Sequence, residues 1–359
     1  MSTRSARLTR TRRRGVFDSA RAATYSAGRT GMRRSRRSIR AVQTLNVLGI
    51  DAGGTKTVCL LADASGTVLA SARGPGANLQ AQGELEVEKV LHEVMEGALA
   101  GRPVTPAAIC LGIAGVDRPD DAAIMRGIMR RIGYKTPTLI VNDALVALTA
   151  GAGDSAGIVV ICGTGSICYG RDAEGRAARS GGWGYVFGDE GSGYWLGRRA
   201  LAAVARHADG RGPATSLTPR VLEQFGVTTV SDLVQEVHLR DPRRHRAASL
   251  GEAVQAAVEA GDPVARAIIA EGAEELVLAA SSVAERLGMR GDVFPLVLAG
   301  GIFRGVPALR ALVLERLPDV APRSQPNLLT AEPAIGAVRI ALAEARGGAR
   351  LPEYIQTRP

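Results

Sequence analysis

The chain lacks the features that mark membrane-spanning and disulfide-rich proteins. No stretch of 18 uncharged apolar residues occurs in its 359 residues, whereas a helix that crosses a bilayer needs about 20. Only four cysteines are present, Cys59, Cys110, Cys162 and Cys168, and they show neither C-x-x-C spacing nor a secreted disulfide pattern. Most lie in apolar runs, where cysteine behaves as a small hydrophobic side chain. We therefore expect a cytoplasmic protein without a membrane partner.

Lysine is also scarce, with three residues against 42 arginines, which is typical of high-GC bacterial codon use. The net charge of +10 comes from residues 1–45, which hold 13 arginines and one acid, so the remaining chain carries −2. Residues 1–45 have no apolar period and predict a disordered Arg-rich tail. They fit a nucleic-acid or membrane-surface arm, a transit peptide, or a start codon assigned too far upstream. We favour the last, with Met32 or a later position as the true start, and expect no nucleic-acid partner.

Two glycine-rich turns of the same design stand out in the sequence. Residues 51–57 (DAGGTKT) follow the apolar run 45–50, and residues 163–166 (GTGS) follow the β-branched run 158–162. Each turn therefore links two predicted strands. Glycine permits a sharp turn with positive φ and lets a ligand approach the main chain, whose N–H groups then suit a phosphate. The candidate phosphate ligands are Gly53, Gly54, Thr55, Lys56, Gly163, Thr164, Gly165 and Ser166.

The two copies agree beyond their glycines. Each turn is followed by a strand, an Asp/Gly hairpin (63–66 and 172–175) and another strand. One copy alone would fit an ordinary hairpin, but two copies predict two similar α/β domains that hold a nucleotide's phosphates between them. The length also exceeds what one core usually supports. We expect domains at residues 46–152 and 153–346, followed by a C-terminal tail at residues 347–359.

Predicted strands alternate with predicted helices in both halves. Strands are expected at about 45–51, 56–62, 67–73, 108–113 and 138–141, in a second meander at 156–180, and at 294–298. Helices are expected at about 84–100, 120–131, from 143 onward, 190–208, through 215–288, 306–317 and 332–346. This alternation favours mainly parallel sheets that bind ligands at the carboxyl ends of their strands.

Four motifs resemble the signatures of the sugar kinase, actin and heat-shock chaperone superfamily: residues 51–57 (DAGGTKT), 141–144 (VNDA), 162–166 (CGTGS) and 298–303 (LAGGIF). Residues 181–184 (GGWG) and 188–195 (GDEGSGYW) further resemble N-acetylglucosamine kinases of the BadF/BadG/BcrA/BcrD-type ATPase family. The resemblance covers about residues 46–345. It implies two ribonuclease H-like (actin-like ATPase) domains with a nucleotide cleft between them. No Walker motif G-x-x-x-x-G-K-[ST] occurs, which disfavours a P-loop kinase.

The resemblance also implies a reaction, the ATP-dependent and Mg²⁺-dependent phosphorylation of N-acetylglucosamine to its 6-phosphate. Asp143 follows an apolar strand and opens a helix, so it could be a helix cap. In the family, the matching residue is the base that accepts the proton of the attacking hydroxyl. Asp51 resembles the carboxylate that holds Mg²⁺ through water, although it could simply end a strand. Gly300 and Gly301 would let adenine approach the backbone.

The sugar site is implied by the same resemblance. Its residues are Asn78, Asp143, Gly182, Trp183, Gly184 and Asp189. Asn and Asp side chains suit paired hydroxyl groups, and Trp183 or Trp195 could offer a ring face, although Trp195 fits a core position equally well. Asp117 is a further cleft candidate, ranked below Asp143. A sugar bound by the whole set would bridge the two predicted domains.

Other functions stay open from the sequence. The family also contains ATPase activators of acyl-CoA dehydratases and reductases, whose iron–sulfur cluster takes thiolates from each subunit of a dimer. The cysteines here lie in predicted strands and not in a loop cluster, which disfavours that function. A non-catalytic sensor, or a kinase acting on glucosamine or N-acetylmuramic acid, are further alternatives. Related proteins are often dimers, so the resemblance also implies a homodimer.

Overall fold

The computed structural model describes residues 45–116, 119–240 and 245–355, so the predicted N-terminal tail and Asp117 lie outside the described residues. The described residues belong to one compact unit, which contains two β-sheets. Within these ranges, no helix has the length and apolar character needed to span a bilayer.

The first sheet has five strands in the order β3-β2-β1-β4-β5. They are β1 (Asn46–Ala52), β2 (Lys56–Asp63), β3 (Val68–Pro75), β4 (Ala108–Ile113) and β5 (Thr138–Asn142). The neighbours β1–β2 and β2–β3 are antiparallel, whereas β1–β4 and β4–β5 are parallel. β1 is buried along its whole length, as its apolar sequence predicts for a central strand.

The second sheet repeats this arrangement and adds one strand. It contains β6 (Gly157–Cys162), β7 (Ser166–Arg171), β8 (Arg176–Gly181), β9 (Phe294–Ala299), β10 (Ser324–Leu328) and β11 (Glu353–Tyr354). The order β8-β7-β6-β9-β10 has the same strand directions as β3-β2-β1-β4-β5, and β11 pairs with β8 at the edge. The internal repeat and the α/β fold expected from the sequence are therefore confirmed.

Thirteen helices of the described part surround the sheets. They are α1 (Leu79–Gln82), α2 (Glu84–Leu99), α3 (Pro119–Arg131), α4 (Asp143–Ala152), α5 (Gly193–Ala208), α6 (Leu217–Phe225), α7 (Val230–Arg240), α8 (His245–Ser249), α9 (Gly251–Glu259), α10 (Pro263–Arg286), α11 (Gly301–Gly305), α12 (Pro307–Val320) and α13 (Ala334–Ala345). The region 215–288, expected to be helical, contains five of them. The residues expected to form a C-terminal tail include β11.

The helix α13 lies in sequence between β10 and β11 of the second sheet but packs against the first sheet. A Cβ on Gly49 of β1 would lie 2.4 Å from the backbone nitrogen of Val338, so only glycine allows this close approach. Similarly, a Cβ on Gly336 would lie 2.0 Å from the carbonyl oxygen of Val146 in α4. One core cluster therefore includes residues of both sheets together with α4 and α13. The division into two domains remains a prediction.

Candidate active site

The first glycine turn lies at the carboxyl end of β1. Gly53 closes it by donating its N–H to the carbonyl of Lys56, at 3.0 Å. A Cβ built on Gly54 would meet no heavy atom within 4 Å. The turn therefore faces open space in which a phosphate group would fit.

The loop that leads to α1 is held against this first turn. Ala77 donates its N–H to the carbonyl of Gly53, at 3.0 Å. A Cβ on Gly76 would lie 2.2 Å from the carbonyl oxygen of Gly54, so the two backbones are in close contact. Asn78, a predicted sugar ligand, follows directly and is half-buried. The structure thus brings Asn78 next to the first turn.

The second glycine turn lies at the carboxyl end of β6 and has the same design. Gly163 donates its N–H to the carbonyl of Gly165, at 2.9 Å. The start of α5 lies along the turn, since Gly193 donates to the carbonyl of Gly163 (2.8 Å) and Tyr194 to that of Thr164 (3.2 Å). Residues of the motif 188–195 therefore support the second turn. The sequence analysis did not predict this contact.

Gly300 packs against the strand end that precedes the second turn. Its φ is 106°, and a Cβ there would lie 2.1 Å from the carbonyl oxygen of Cys162. Gly301, by contrast, has no heavy atom within 4 Å of a built Cβ. Both glycines lie at the carboxyl end of β9, beside the second turn, and their contact with adenine stays a prediction.

Asp189 contacts the second turn directly. Its φ is 63°, which is uncommon for a residue other than glycine and marks a position under constraint. The Asp189 carboxylate accepts the N–H of Ser166 at 3.2 Å, and the Ser166 hydroxyl donates to the carbonyl of Glu190 at 2.7 Å. Burial raises the pKa of Asp189. Asp189, a predicted sugar ligand, thus also holds Ser166, a predicted phosphate ligand, in place.

The two turns face each other. The side-chain hydroxyl oxygens of Thr55 and Thr164 are 2.9 Å apart, within hydrogen-bonding distance. The two turns therefore meet at these two hydroxyls, and the binding of phosphate there stays a prediction.

Two carboxyl groups lie at this place and interact electrostatically. Asp51 is the penultimate residue of β1 and is only 8% exposed. Its pKa is raised to about 7, mainly by burial and also by the negative charge of Asp143, while the positive charge of Lys56 opposes the rise. A divalent cation would relieve the cost of ionising Asp51, so the site has the donor chemistry that suits Mg²⁺.

Asp143 is the first residue of α4, but it is not the cap of that helix. The preceding Asn142 accepts the N–H of Ala144 on its side-chain oxygen at 2.8 Å and thus caps the helix. The alternative that Asp143 is present as a helix cap is therefore wrong.

Lys56 has a partner that the sequence analysis missed. Its ammonium group donates to Glu332 at 2.9 Å, and the guanidinium of Arg73 in β3 donates to the other oxygen of the same carboxylate at 2.6 Å. Glu332 lies between β10 and α13, 276 positions from Lys56 in sequence. No local pattern could have indicated this contact.

The predicted sugar loop follows β8. Gly182 and Gly184 have φ values of 71° and 83°, and Gly182 donates its N–H to the carbonyl of Ser166 at 3.0 Å. The Trp183 side chain is 52% exposed, and the guanidinium of Arg179 lies 4.4 Å from its ring centroid. The loop is thus attached to the strand that starts at the second turn, and its indole is accessible to a ligand.

Two expectations about this region need correction. Trp195 is 6% exposed and belongs to a hydrophobic core cluster, so it does not offer a ring face to the sugar. The glycines of the two turns do not have positive φ. Gly53 and Gly163 close their turns through their N–H groups, and the backbone beside Gly54 and Gly163 faces open space. Positive φ occurs instead at Gly300 and in the sugar loop.

The four cysteines do not fit an iron–sulfur cluster shared between subunits. All four are buried in separate strands, β2, β4, β6 and β7. Burial raises the pKa of each thiol, that of Cys59 to about 12. Thiolates that bind a cluster between two subunits must be accessible to the partner and readily deprotonated.

Comparisons with known proteins agree with this geometry. Residues 48–341 match the model of the BadF/BadG/BcrA/BcrD ATPase family. An N-acetylmuramic acid/N-acetylglucosamine kinase from Clostridium acetobutylicum is 39% identical over 83% of this chain and 98% of the relative. An N-acetyl-D-glucosamine kinase from Dictyostelium discoideum is 33% identical over 82% of this chain and 97% of the relative. A crystal structure from Chromobacterium violaceum, of a protein assigned as an N-acetylglucosamine kinase, is 30% identical with a TM-score of 0.68, and the match covers 82% of this chain and 98% of that chain.

Proposed function

We propose that this chain, which belongs to the BadF/BadG/BcrA/BcrD ATPase family, is a kinase that transfers the γ-phosphoryl group of ATP to N-acetylglucosamine. The observation that carries the proposal is the 2.9 Å contact between the hydroxyls of Thr55 and Thr164, which sets two phosphate-type turns opposite each other. The names of the two curated relatives support an amino sugar as the acceptor.

The two turns would hold the phosphates of ATP. The hydroxyls of Thr55 and Thr164 meet between the turns, and the ammonium group of Lys56, which pairs with Glu332, would add a positive charge there. Phosphoryl transfer has a loose transition state, so catalysis depends mainly on positioning and on neutralising charge. Turns built on a rigid strand end provide such positioning. Gly300 and Gly301 would lie beside the adenine.

Asp143 would act as the base. The 6-hydroxyl oxygen of the sugar forms a bond to the γ-phosphorus, the bond from that phosphorus to the ADP oxygen breaks, and the hydroxyl proton passes to the Asp143 carboxylate. Because Asn142 already caps α4, the position of the Asp143 backbone does not depend on its own carboxylate.

Asp51 would hold Mg²⁺ through a water molecule. When bound, the ion would neutralise part of the charge on the triphosphate. The buried Asp51 carboxyl, with its pKa raised to about 7, supports this assignment because a nearby cation would favour the ionised form.

The sugar would lie between the first turn and the loop after β8. Asn78 and Asp189 would bind hydroxyl or amide groups of the sugar, the indole of Trp183 would pack on its apolar face, and Gly182 and Gly184 would let it approach the backbone. The exposure of Trp183 and the contact of Asn78's loop with the first turn support this arrangement.

N-Acetylmuramic acid is a second candidate acceptor. The relative from Clostridium acetobutylicum, 39% identical to this chain, carries both sugars in its name. The two sugars share the 6-hydroxyl and the N-acetyl group, so one set of residues could serve both.

We further propose that the protein works in the cytoplasm and that it forms a homodimer. Light scattering after size-exclusion chromatography measures the molar mass and so tests the dimer.

A panel of acceptors tests the proposed reaction. Purified protein is given MgATP with N-acetylglucosamine, N-acetylmuramic acid, glucosamine or glucose, ADP release is followed, and NMR identifies the phosphorylated position. We expect N-acetylglucosamine 6-phosphate, with kcat/KM at least about tenfold above that for glucose, because a site built for the amide leaves polar groups unpaired with glucose. Equal kcat/KM values for N-acetylglucosamine and glucose, or no ADP release with any amino sugar, would contradict the proposal.

A further inference from the structure

A charge network beside the first glycine turn joins Lys56 to two residues without an assigned role, Arg73 and Glu332. The two oxygens of the Glu332 carboxylate each accept one hydrogen bond, from Lys56 at 2.9 Å and from Arg73 at 2.6 Å. Lys56 is the residue directly after Thr55, so its side chain starts at the turn itself. Arg73 lies on β3, which pairs with the strand that Lys56 begins.

Glu332 is held in a fixed position relative to the rest of the site. Its carbonyl accepts the N–H of Ile335 at 3.0 Å, at the start of α13. One residue later, a Cβ on Gly336 would lie 2.0 Å from the carbonyl oxygen of Val146. The start of α13 is therefore in close backbone contact with α4, the helix that begins at Asp143.

The same charges act on the buried carboxyl of the site. The pKa of Asp51, raised first by burial, is lowered by the charge of Lys56 and raised by that of Glu332. Burial tends to raise the pKa of Glu332, but the hydrogen bonds from Lys56 and Arg73 outweigh it and lower the pKa overall. Glu332 is therefore an anion at neutral pH, and its charge and that of Lys56 reach the place where the reaction would occur.

We propose that Glu332 is a positioning residue that holds the ammonium group of Lys56 beside the first glycine turn, where it meets the triphosphate of ATP. This inference rests on the proposed function, because it takes Lys56 as a phosphate ligand. A lysine ammonium has three donors on a long flexible stem. One donor bound to Glu332 fixes its position, and two donors remain for phosphate oxygens.

Arg73 completes the arrangement. It occupies the second oxygen of the Glu332 carboxylate, which leaves one oxygen facing Lys56. The side chains of Lys56, Arg73 and Glu332 are 49%, 59% and 32% exposed. Ion pairs this exposed contribute little to stability, so a large effect of Glu332 on ATP binding would not be explained by unfolding.

The test compares Glu332→Gln with Glu88→Gln. Glu88 on α2 forms an ion pair of similar kind with Arg131, at 2.7 Å and 24% exposure, in a contact between α2 and α3 that includes no candidate site residue. Calorimetry with MgATP, which needs no sugar, gives the Kd, and initial rates give the KM for ATP and for sugar. For Glu332→Gln we expect Kd and KM for MgATP to rise about tenfold, the scale of one charge-assisted hydrogen bond. The KM for sugar and the melting temperature should stay near the wild-type values, and Glu88→Gln should change none of these.

Two further variants separate positioning from a structural role. In a Lys56→Met background, Glu332→Gln should cause no further loss of MgATP binding, because its effect passes through Lys56. The exchange Lys56→Glu with Glu332→Lys should re-form an ion pair and keep the melting temperature near the wild-type value, but it should not restore MgATP binding.

Unchanged MgATP binding in Glu332→Gln would overturn the proposal. The proposal would also be overturned if Glu332→Gln weakened MgATP binding as much in the Lys56→Met background as in the wild type. Recovery of MgATP binding in the Lys56→Glu, Glu332→Lys variant would overturn it as well. If the wild type binds MgATP but transfers phosphate to no sugar, the proposed acceptor is wrong while the role of Glu332 is still decided by the binding data.

Discussion

The side-chain hydroxyls of Thr55 and Thr164 are 2.9 Å apart although the residues are 109 positions apart in sequence. They occupy equivalent places in two copies of one unit, the turn between β1 and β2 and the turn between β6 and β7. Each copy alone would be an ordinary hairpin. Their contact sets the two turns opposite each other, as the proposed anion site requires.

Replacing Thr55 by valine should weaken ATP binding without unfolding the protein. Valine keeps the shape of threonine but removes the hydroxyl that contacts Thr164. We expect the KM for ATP to rise about threefold to tenfold, as for the loss of one hydrogen bond, while the KM for sugar stays within about twofold. Initial rates over a matrix of both substrates measure this.

The matched control is Thr57→Val, two residues further along β2. The Thr57 hydroxyl is fully buried and has no hydrogen-bond partner within the described ranges. Removing it should leave the KM for ATP unchanged and keep or raise stability, by up to about 1 kcal/mol. Similar ATP kinetics in both valine variants would show that the Thr55 hydroxyl does not bind phosphate.

Asp143→Asn should separate catalysis from stability. The variant keeps the size of the side chain but cannot accept the hydroxyl proton, so kcat should fall about 10²–10⁴-fold with ATP and sugar binding nearly unchanged. Asn142→Ala should instead lower stability and leave most of kcat. The Asn142 side chain caps α4, and the loss of this cap should lower the free energy of unfolding by about 1 kcal/mol. An Asp143→Asn variant that retains more than about half of its rate would remove Asp143 as the base.

Asp51 should make the protein less stable as the pH rises when no divalent cation is present. Burial raises its pKa from 3.8 to about 7 in the folded state. Between about pH 4 and pH 7 the folded protein therefore keeps a proton that the unfolded chain has lost, so stability falls across this range and levels off above it. Asp51→Asn removes this loss and should be more stable than the wild type at about pH 8, by up to about 4 kcal/mol.

Urea unfolding of both proteins from about pH 4 to pH 8 in the presence of EDTA checks this, because the difference between the two curves cancels the other titrating groups. Adding MgATP should stabilise the wild type at the upper end of the range and the variant much less. A difference that does not change with pH would show that Asp51 ionises normally.

The repeated unit could be predicted because its signals are local. The hairpins after the two turns have the same hydrogen bonds, with the N–H of Gly66 donating to Asp63 and that of Gly175 to Asp172, as their Asp/Gly sequences indicate. The strand β10 escaped detection because its sequence, SQPNL, is polar and contains Pro326. Proline is tolerated at the edge of a sheet. The repeat itself offered a signal, since β10 takes the place in the second sheet that β5 takes in the first.

The long-range contacts of the site could not be predicted in this way. Glu332 reaches Lys56 across 276 positions and Arg73 across 259, and no spacing rule relates them. The contact of Asp189 with Ser166 was missed for the same reason, because it depends on how the chain returns after β8. The resemblance to known sugar kinases indicated which residues are candidate ligands. Only the folded structure shows how these residues contact each other.

Gly54→Val and Gly165→Val should have different effects, although the sequence alone places both glycines among the candidate phosphate ligands. A Cβ on Gly54 meets nothing within 4 Å, whereas a Cβ on Gly165 would lie 2.9 and 3.0 Å from the two carboxylate oxygens of Asp189. Gly54→Val should fill the space for phosphate and raise only the KM for ATP, by about tenfold or more. Gly165→Val should displace Asp189 and raise the KM for both ATP and sugar.

The double variant Gly165→Val with Asp189→Ala tests the cause. Without the carboxylate the valine no longer meets a charged group, so the KM for ATP should recover part of the loss, while the KM for sugar should stay as high as in Asp189→Ala alone. Melting curves of all four proteins control for unfolding. If Gly165→Val leaves the KM for sugar unchanged, Asp189 either does not move or does not bind the sugar, and Asp189→Ala alone distinguishes the two.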